Sequence, residues 1–123
     1  MEAIFINKQN NNYYVAVDFD GTIVKDCFPD VGTRNEKVIR KIIERKEFLE
    51  SQGYNVTFVL WTCRENLPER NYLTEAINFC KNHIPEIPFK YFNECPETSF
   101  GYPELVRKIS CDEYWDDKAV EVI

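Results

Sequence analysis

Three largely apolar runs predict three strands, of which the first two are expected to be buried on both faces of a sheet. These runs are Tyr13–Val17, Asn55–Trp61 and Pro88–Phe92. Between them, apolar residues recur at helical spacing in two stretches, which is typical of helices with one buried face. A capping box from Thr33 to Glu36 predicts the start of the first helix, and Gly53 predicts its end. Pro68 suits the first turn of the second helix.

The order of these elements predicts a parallel sheet, because a strand, a helix and a strand joined by a right-handed crossover run in the same direction. We therefore expect one α/β domain over residues 1–123, with three layers, a Rossmann-like and mainly parallel sheet, and helices on both faces. A short helical stretch from Pro103 into Val106, a strand before Asp116 and an edge strand over 119–123 complete the prediction.

Composition and charge narrow the class of protein. The apolar fraction of 44% and the charged fraction of 29% are ordinary for a globular protein. No apolar run approaches the ~20 residues of a membrane span, and the N-terminus has no signal-peptide pattern. The net charge of −6 disfavours broad binding to nucleic acid, although a local basic patch stays compatible with it.

The cysteines indicate a reduced, cytoplasmic protein. There are five, which is an odd number, and they are widely spaced without a CxxC pair. Since the chain has one histidine and no ligand spacing, zinc is disfavoured as well.

Candidate chemistry lies at the end of the first predicted strand, which runs directly into Asp18 and Asp20. A buried strand cannot hold an unpaired carboxylate, so Asp18 is expected at its carboxyl end. Gly21 allows a sharp turn there, and the Thr22 hydroxyl can hold that turn. Two carboxylates at such a position form an oxygen-rich site that suits Mg²⁺.

The sequence Asp18-Phe19-Asp20-Gly21-Thr22 resembles the DxDGT signature of the haloacid dehalogenase (HAD) superfamily, most of whose members are Mg²⁺-dependent phosphatases. Thr62, at the end of the second predicted strand, matches the second motif. Lys108 holds the place of the third motif, with the adjacent Arg107 as the alternative. Asp116 and Asp117 match the fourth motif.

This resemblance implies an HAD-like phosphohydrolase that acts on a phosphate monoester. Asp18 would be the nucleophile and form an aspartyl-phosphate. Asp20 would protonate the leaving oxygen and later accept a proton from water. Lys108 would be the catalytic cation beside the phosphate, and the Thr62 hydroxyl and the Cys63 N–H would bind phosphoryl oxygens.

The resemblance also implies a set of ligands for Mg²⁺. Asp18, the main-chain carbonyl of Asp20 and the fourth-motif acids would hold the ion. We expect Asp117 to be the direct ligand and Asp116 to support it, although the sequence does not settle their order.

The residues around the site suit more than one role. Arg64 suits either a contact with substrate or a surface ion pair with Glu65 or Glu69. The predicted loops are too short for the cap domain that many HAD proteins carry. An open site is consistent with a macromolecular substrate, or with a homo-oligomer in which another subunit supplies a lid.

Three alternatives compete with this interpretation. The protein could be a nucleotide or polynucleotide-end phosphatase, or a non-catalytic module that binds metal or phosphate. A receiver domain of the signalling kind is disfavoured, because the third strand ends in Phe92-Asn93-Glu94 without the aspartate that such domains phosphorylate.

Overall fold

The structure, a computed structural model, describes residues 11–94, 111–116 and 120–122. Its elements, in chain order, are β1 (Asn12–Val17), α1 (Glu36–Ser51), β2 (Asn55–Leu60), β3 (Asn66–Leu67), β4 (Arg70–Asn71), α2 (Tyr72–His83), β5 (Phe89–Phe92), β6 (Glu113–Trp115) and β7 (Val120–Val122). The strand order of the main sheet is β5-β2-β1-β6-β7, and β3 and β4 form a separate two-stranded hairpin.

The main sheet is parallel except for β7, which pairs antiparallel with β6. β1 is central, and its last residue, Val17, pairs with Leu60 of β2 on one side and with Trp115 of β6 on the other. The sequence prediction of an α/β fold with a mainly parallel sheet is therefore confirmed. Since parallel strands end at the same edge, the residues that follow β1, β2 and β6 lie side by side there.

Both described helices pack against one face of the sheet, because their apolar stripes share a core with alternate residues of β1 and β2. That core includes Val15, Phe58, Ile42 and Cys80. On the opposite face, Ala16 and Val59 are buried beneath the partly buried Trp61, Tyr91, Cys111 and Tyr114. The helical stretch predicted over 103–106 lies outside the described residues. In the part of the chain that is described, no helix is both long and apolar enough to cross a membrane.

The start of each helix differs from the sequence prediction. α1 is capped by Asn35, whose side chain accepts a hydrogen bond from the Val38 N–H, and Thr33 lies before the cap. The second helix begins at Tyr72, because Pro68 forms part of the turn between β3 and β4. The predicted end of α1 is confirmed, since Gly53 has a φ of 93° in the left-handed region.

A buried polar cluster attaches β6 to β1 and α1. Glu113 is fully buried, and its carboxylate accepts hydrogen bonds from the Tyr13 hydroxyl at 3.0 Å and from Trp115 Nε1 at 2.7 Å. Arg45 of α1 lies 2.7 Å from the same carboxylate and completes the cluster. This cluster fixes the strand that leads into Asp116, and the sequence analysis did not predict it.

Candidate active site at the carboxyl edge of the sheet

Two acidic residues, Asp18 and Asp116, follow the adjacent strands β1 and β6. The Asp18 N–H donates to the Trp115 carbonyl at 2.9 Å. This bond extends the parallel pairing of β1 with β6 by one residue and places Asp18 beside the end of β6, which Asp116 follows. Asp18 Oδ1 accepts a hydrogen bond from the Phe19 N–H at 2.8 Å, which fixes the orientation of its carboxylate. The structure thus brings the first-motif acid and a fourth-motif acid together.

Tyr114, on β6, lies within electrostatic range of both acids. Burial raises the pKa of its hydroxyl, and the negative charges of Asp18 and Asp116 raise the pKa further. A side chain of β6 therefore experiences both carboxylates at once. Their charges converge on this part of the sheet edge, where a cation would neutralise them.

A tight turn follows Asp18 and is held by the backbone. The Thr22 N–H donates to the Phe19 carbonyl at 3.1 Å, and the Gly21 N–H donates to the Val24 carbonyl at 2.9 Å. Gly21 has a φ of 78°, as the sequence led us to expect of a glycine at this turn. The prediction that the Thr22 hydroxyl holds the turn is wrong: its oxygen is buried without a hydrogen-bond partner among the described residues.

Asp20 forms a bidentate ion pair with Arg64. Arg64 Nε lies 2.7 Å from Asp20 Oδ2, and Arg64 Nη2 lies 2.8 Å from Asp20 Oδ1. The Arg64 side chain is only 1% exposed, whereas that of Asp20 is 19% exposed. This geometry is the strongest form of an arginine–carboxylate contact, because two parallel charged hydrogen bonds fix the orientation of both groups.

The predictions for Arg64 therefore need correction. It makes no surface pair with Glu65 or Glu69, because its guanidinium is buried against Asp20. It also offers little to a substrate, since Nη2 donates to the Asp30 carbonyl and Nη1 makes a long bond to the Tyr72 carbonyl. The signal that could have indicated this role is its place two residues after Thr62, at the same sheet edge as Asp20.

Thr62 and Asn93 join the ends of β2 and β5. The Thr62 N–H donates to Asn93 Oδ1 at 2.7 Å, and Thr62 Oγ1 accepts from the Arg64 N–H at 3.2 Å. Thr62 is half-buried at the predicted edge, and Cys63 is exposed beside it. The sequence analysis missed Asn93. Its φ of 53° is a conformation that asparagine tolerates better than most residues, which is a signal visible in the residue type.

One side of the site is a wall formed by residues 25–32 and the β3–β4 hairpin. The Phe28 ring stacks on Tyr72 with 5.6 Å between ring centroids. Arg70 binds Asp30 at 3.1 Å and forms a second ion pair with Glu75 at 2.8 Å. This wall is held by contacts with α2, and we call it the 25–32 wall below.

Several predicted site residues lie outside the described residues, namely Arg107, Lys108 and Asp117. Their predicted roles stay predictions. Within residues 11–94 and 111–116, no three side chains of His, Cys, Asp or Glu form a group that could hold a metal. Asp18 and Asp116 nevertheless suit Mg²⁺, because that ion is commonly bound by one or two carboxylates together with waters and substrate phosphate.

Comparisons with known proteins show that the fold of this chain is similar to that of a solved structure. No protein-family model matches the chain, and no match was found among curated proteins. A solved structure, described as that of the conserved protein coded by a locus from Bacteroides thetaiotaomicron, is similar over 92% of this chain and 82% of that chain. The sequence identity is 29% and the TM-score is 0.57. Since that description gives no activity, the resemblance to the HAD superfamily stays a prediction, and the chain is similar to a conserved protein of the same fold.

Proposed function

We propose that this protein is a metal-dependent phosphohydrolase that transfers a phosphoryl group from a phosphate monoester to Asp18. The observation that carries this proposal is the meeting of Asp18 and Asp116 at the ends of adjacent parallel strands. Thr62 follows β2, on the other side of β1, so its hydroxyl belongs to the same sheet edge as the carboxylates. Acids, a hydroxyl and backbone N–H groups at one edge suit a phosphate and its counter-ion.

Asp18 is the residue best placed to act as nucleophile. Its carboxylate would attack phosphorus while the bond to the leaving oxygen breaks, and Asp20 would give the leaving oxygen a proton, as the resemblance implies. Water would then attack the phosphorus of the aspartyl-phosphate and return a proton to Asp20, which releases inorganic phosphate and regenerates the Asp18 carboxylate. The bond from the Phe19 N–H to Asp18 Oδ1 orients the attacking group before substrate arrives.

Mg²⁺, when bound, would neutralise the charge on the phosphoryl oxygens, which a negatively charged nucleophile requires. Among the described residues, Asp18 and Asp116 would hold it. The resemblance adds Asp117, the Asp20 carbonyl and, as the cation beside the phosphate, Lys108. Thr62 and the Cys63 N–H would bind the phosphoryl oxygens.

The test is a panel of phosphate esters, including nucleotides and a phosphorylated polynucleotide end, assayed with Mg²⁺ and with EDTA. We expect Asp18→Asn to lower kcat by about 1,000-fold or more, because it removes the nucleophile. Asp26→Asn is the matched control: Asp26 lies on an exposed loop in the same region and should leave kcat unchanged.

Two outcomes would contradict the proposal. Turnover that persists in EDTA would exclude a required metal, and turnover that persists in Asp18→Asn would exclude the nucleophile. If the wild-type protein binds Mg²⁺ but hydrolyses no ester in the panel, it is a non-catalytic module.

A further inference from the structure

We propose that Arg64 is a positioning residue of this site, which holds the Asp20 carboxylate in one orientation beside Asp18. Its catalytic consequence rests on the phosphohydrolase activity proposed above. The motif resemblance makes Asp20 the proton-transferring residue, but the sequence pattern does not show what orients its carboxylate. In the structure, both of its oxygens are bound by one buried guanidinium.

Most of the N–H donors of the Arg64 guanidinium bind groups of the protein itself. Of its five N–H donors, Nε and one on Nη2 bind Asp20, the other on Nη2 binds the Asp30 carbonyl at 3.0 Å, and one on Nη1 is directed at the Tyr72 carbonyl. With four donors engaged and a side chain that is 1% exposed, Arg64 is not a phosphate-binding cation. Its contact with the site is Asp20.

Two aromatic rings enclose the guanidinium. Its Cζ lies 5.3 Å from the centroid of Phe19 and 5.0 Å from that of Phe28. Phe19 is fully buried and lies between the two aspartates in sequence, whereas Phe28 belongs to the 25–32 wall. A planar group stacked in this way has little freedom to move, so the carboxylate that it binds is held as well.

The backbone of Arg64 links the loops at three strand ends. Its N–H donates to Thr62 Oγ1, and its carbonyl accepts from Asn93 Nδ2 at 3.3 Å. One residue therefore joins the loop after β1, through Asp20, to the loops after β2 and β5. This placement makes the orientation of Asp20 depend on the phosphate-binding side of the proposed site.

Lysine cannot replace arginine in this role. A single ammonium group on a flexible stem cannot bind both carboxylate oxygens in a fork or stack between two rings. Arg64→Lys keeps the buried positive charge, so it tests orientation with less loss of folding than a neutral substitution. Arg34→Ala is the matched control, because Arg34 also binds one carboxylate through Nε and Nη2, that of Glu36, but makes no bond to Asp20.

The experiment measures kcat and KM with p-nitrophenyl phosphate and Mg²⁺ for the wild type, Arg64→Lys, Arg64→Ala and Arg34→Ala. We expect kcat of both Arg64 variants to fall by ~100-fold, with KM changed by less than about threefold, because a misplaced group costs rate more than binding. Added guanidinium ion should restore part of kcat in Arg64→Ala, and methylammonium should not. Arg34→Ala should retain wild-type kcat.

Amide NMR spectra of the same variants report the orientation without relying on activity. We expect the Asp20 and Gly21 resonances to move in Arg64→Lys and to stay in place in Arg34→Ala. A rise in KM without a fall in kcat would make Arg64 a substrate contact and overturn the proposal. Wild-type kcat in Arg64→Lys, or a fall in kcat that guanidinium does not rescue, would also overturn it.

The two proposals fail in different ways. A wild-type protein without Mg²⁺-dependent turnover of any ester refutes the phosphohydrolase, and the catalytic role of Arg64 with it. An active wild-type protein whose Asp20 resonances and kcat do not respond to Arg64→Lys refutes the positioning role alone.

Discussion

The buried carboxylate of Glu113 should be the most costly single side chain to remove from the sheet. Glu113→Ala takes away a group that is 0% exposed and that binds Tyr13, Arg45 and Trp115. Each of these partners loses its acceptor at once. Burial and the charge of Glu113 together raise the pKa of the Tyr13 hydroxyl, so that hydroxyl stays protonated and needs an acceptor at neutral pH.

The magnitude can be worked out from these contacts. Removal of one partner of a buried ion pair costs about 3–5 kcal/mol, because it leaves the other charge without compensation. Arg45 is 24% exposed and can regain some water, which favours the lower part of that range. The Tyr13 hydroxyl and Trp115 Nε1 add about 1–3 kcal/mol each if no water replaces the carboxylate. Water that enters the space left by the carboxylate can accept hydrogen bonds from both donors, so we expect the total loss in the free energy of unfolding to stay at about 3–5 kcal/mol.

Urea denaturation followed by circular dichroism measures this loss directly. For a domain of this size, about 3–5 kcal/mol corresponds to a fall in Tm of about 12–20 °C. Glu113→Gln keeps the volume of the side chain but removes its charge, so it separates the electrostatic cost from the cavity. Glu47→Ala, on the exposed side of α1, is the control and should change stability by less than about 0.5 kcal/mol.

A cost below about 1 kcal/mol for Glu113→Ala would refute this reasoning, because it would mean that the four groups are satisfied without one another. The same result would remove the argument that this cluster holds β6, and with it Asp116, in register with β1. If Glu113→Ala and Glu113→Gln lower the free energy of unfolding by the same amount, the lost charge accounts for the whole effect.

Cys80 and Gly32 support two further predictions. Burial raises the pKa of the Cys80 thiol from 9.0 to about 12, so iodoacetamide at pH 8 should modify the exposed Cys63 and spare Cys80 in peptide mass mapping. Because the unfolded thiol ionises first, stability should fall by about 1 kcal/mol per pH unit above pH 9, and Cys80→Ser should remove that contribution. Gly32→Ala should cost about 1–3 kcal/mol in thermal denaturation, since its Cβ would lie 1.9 Å from the Lys25 carbonyl oxygen. Unchanged stability of Gly32→Ala would show that the chain adjusts there freely.

The sheet could be predicted because its strands carry their signal in consecutive residues. β1 has no polar alternation, and only a strand covered on both faces tolerates that pattern. The crossover rule then places the ends of β1 and β2 at one edge without further information. The placement of Asp18 and Thr62 at one edge of the sheet followed from local patterns and one rule of chain geometry, and the parallel pairing of β1 with β2 confirms that shared edge.

The first residue of each helix could not be predicted in the same way. Several neighbouring residues are good helix caps, and contacts with residues distant in sequence decide which of them is used. Thr33 and Asn35 are both good caps, but the Thr33 carbonyl accepts from the Lys25 N–H, which holds Thr33 in the preceding loop. At α2, the side chain of Asn66 binds both the N–H and the hydroxyl of Thr74. An asparagine six residues before the helix thus supplies the bond that a neighbouring cap would make.

In the candidate site, too, the local sequence indicates which acids are present, whereas residues distant in sequence determine how those acids are oriented. The order of residues around Asp20 is identical whether its carboxylate faces solvent or a buried arginine, so the motif alone cannot distinguish the two. Arg64 becomes its partner because β1 and β2 are paired in parallel and their following loops start at the same level. The guanidinium of this pair lies over the rings of Phe19, which is in the turn after β1, and of Phe28. A pattern of acids can therefore indicate the class of chemistry, whereas the orientation of each acid depends on which cationic side chain, distant in sequence, the fold places next to it.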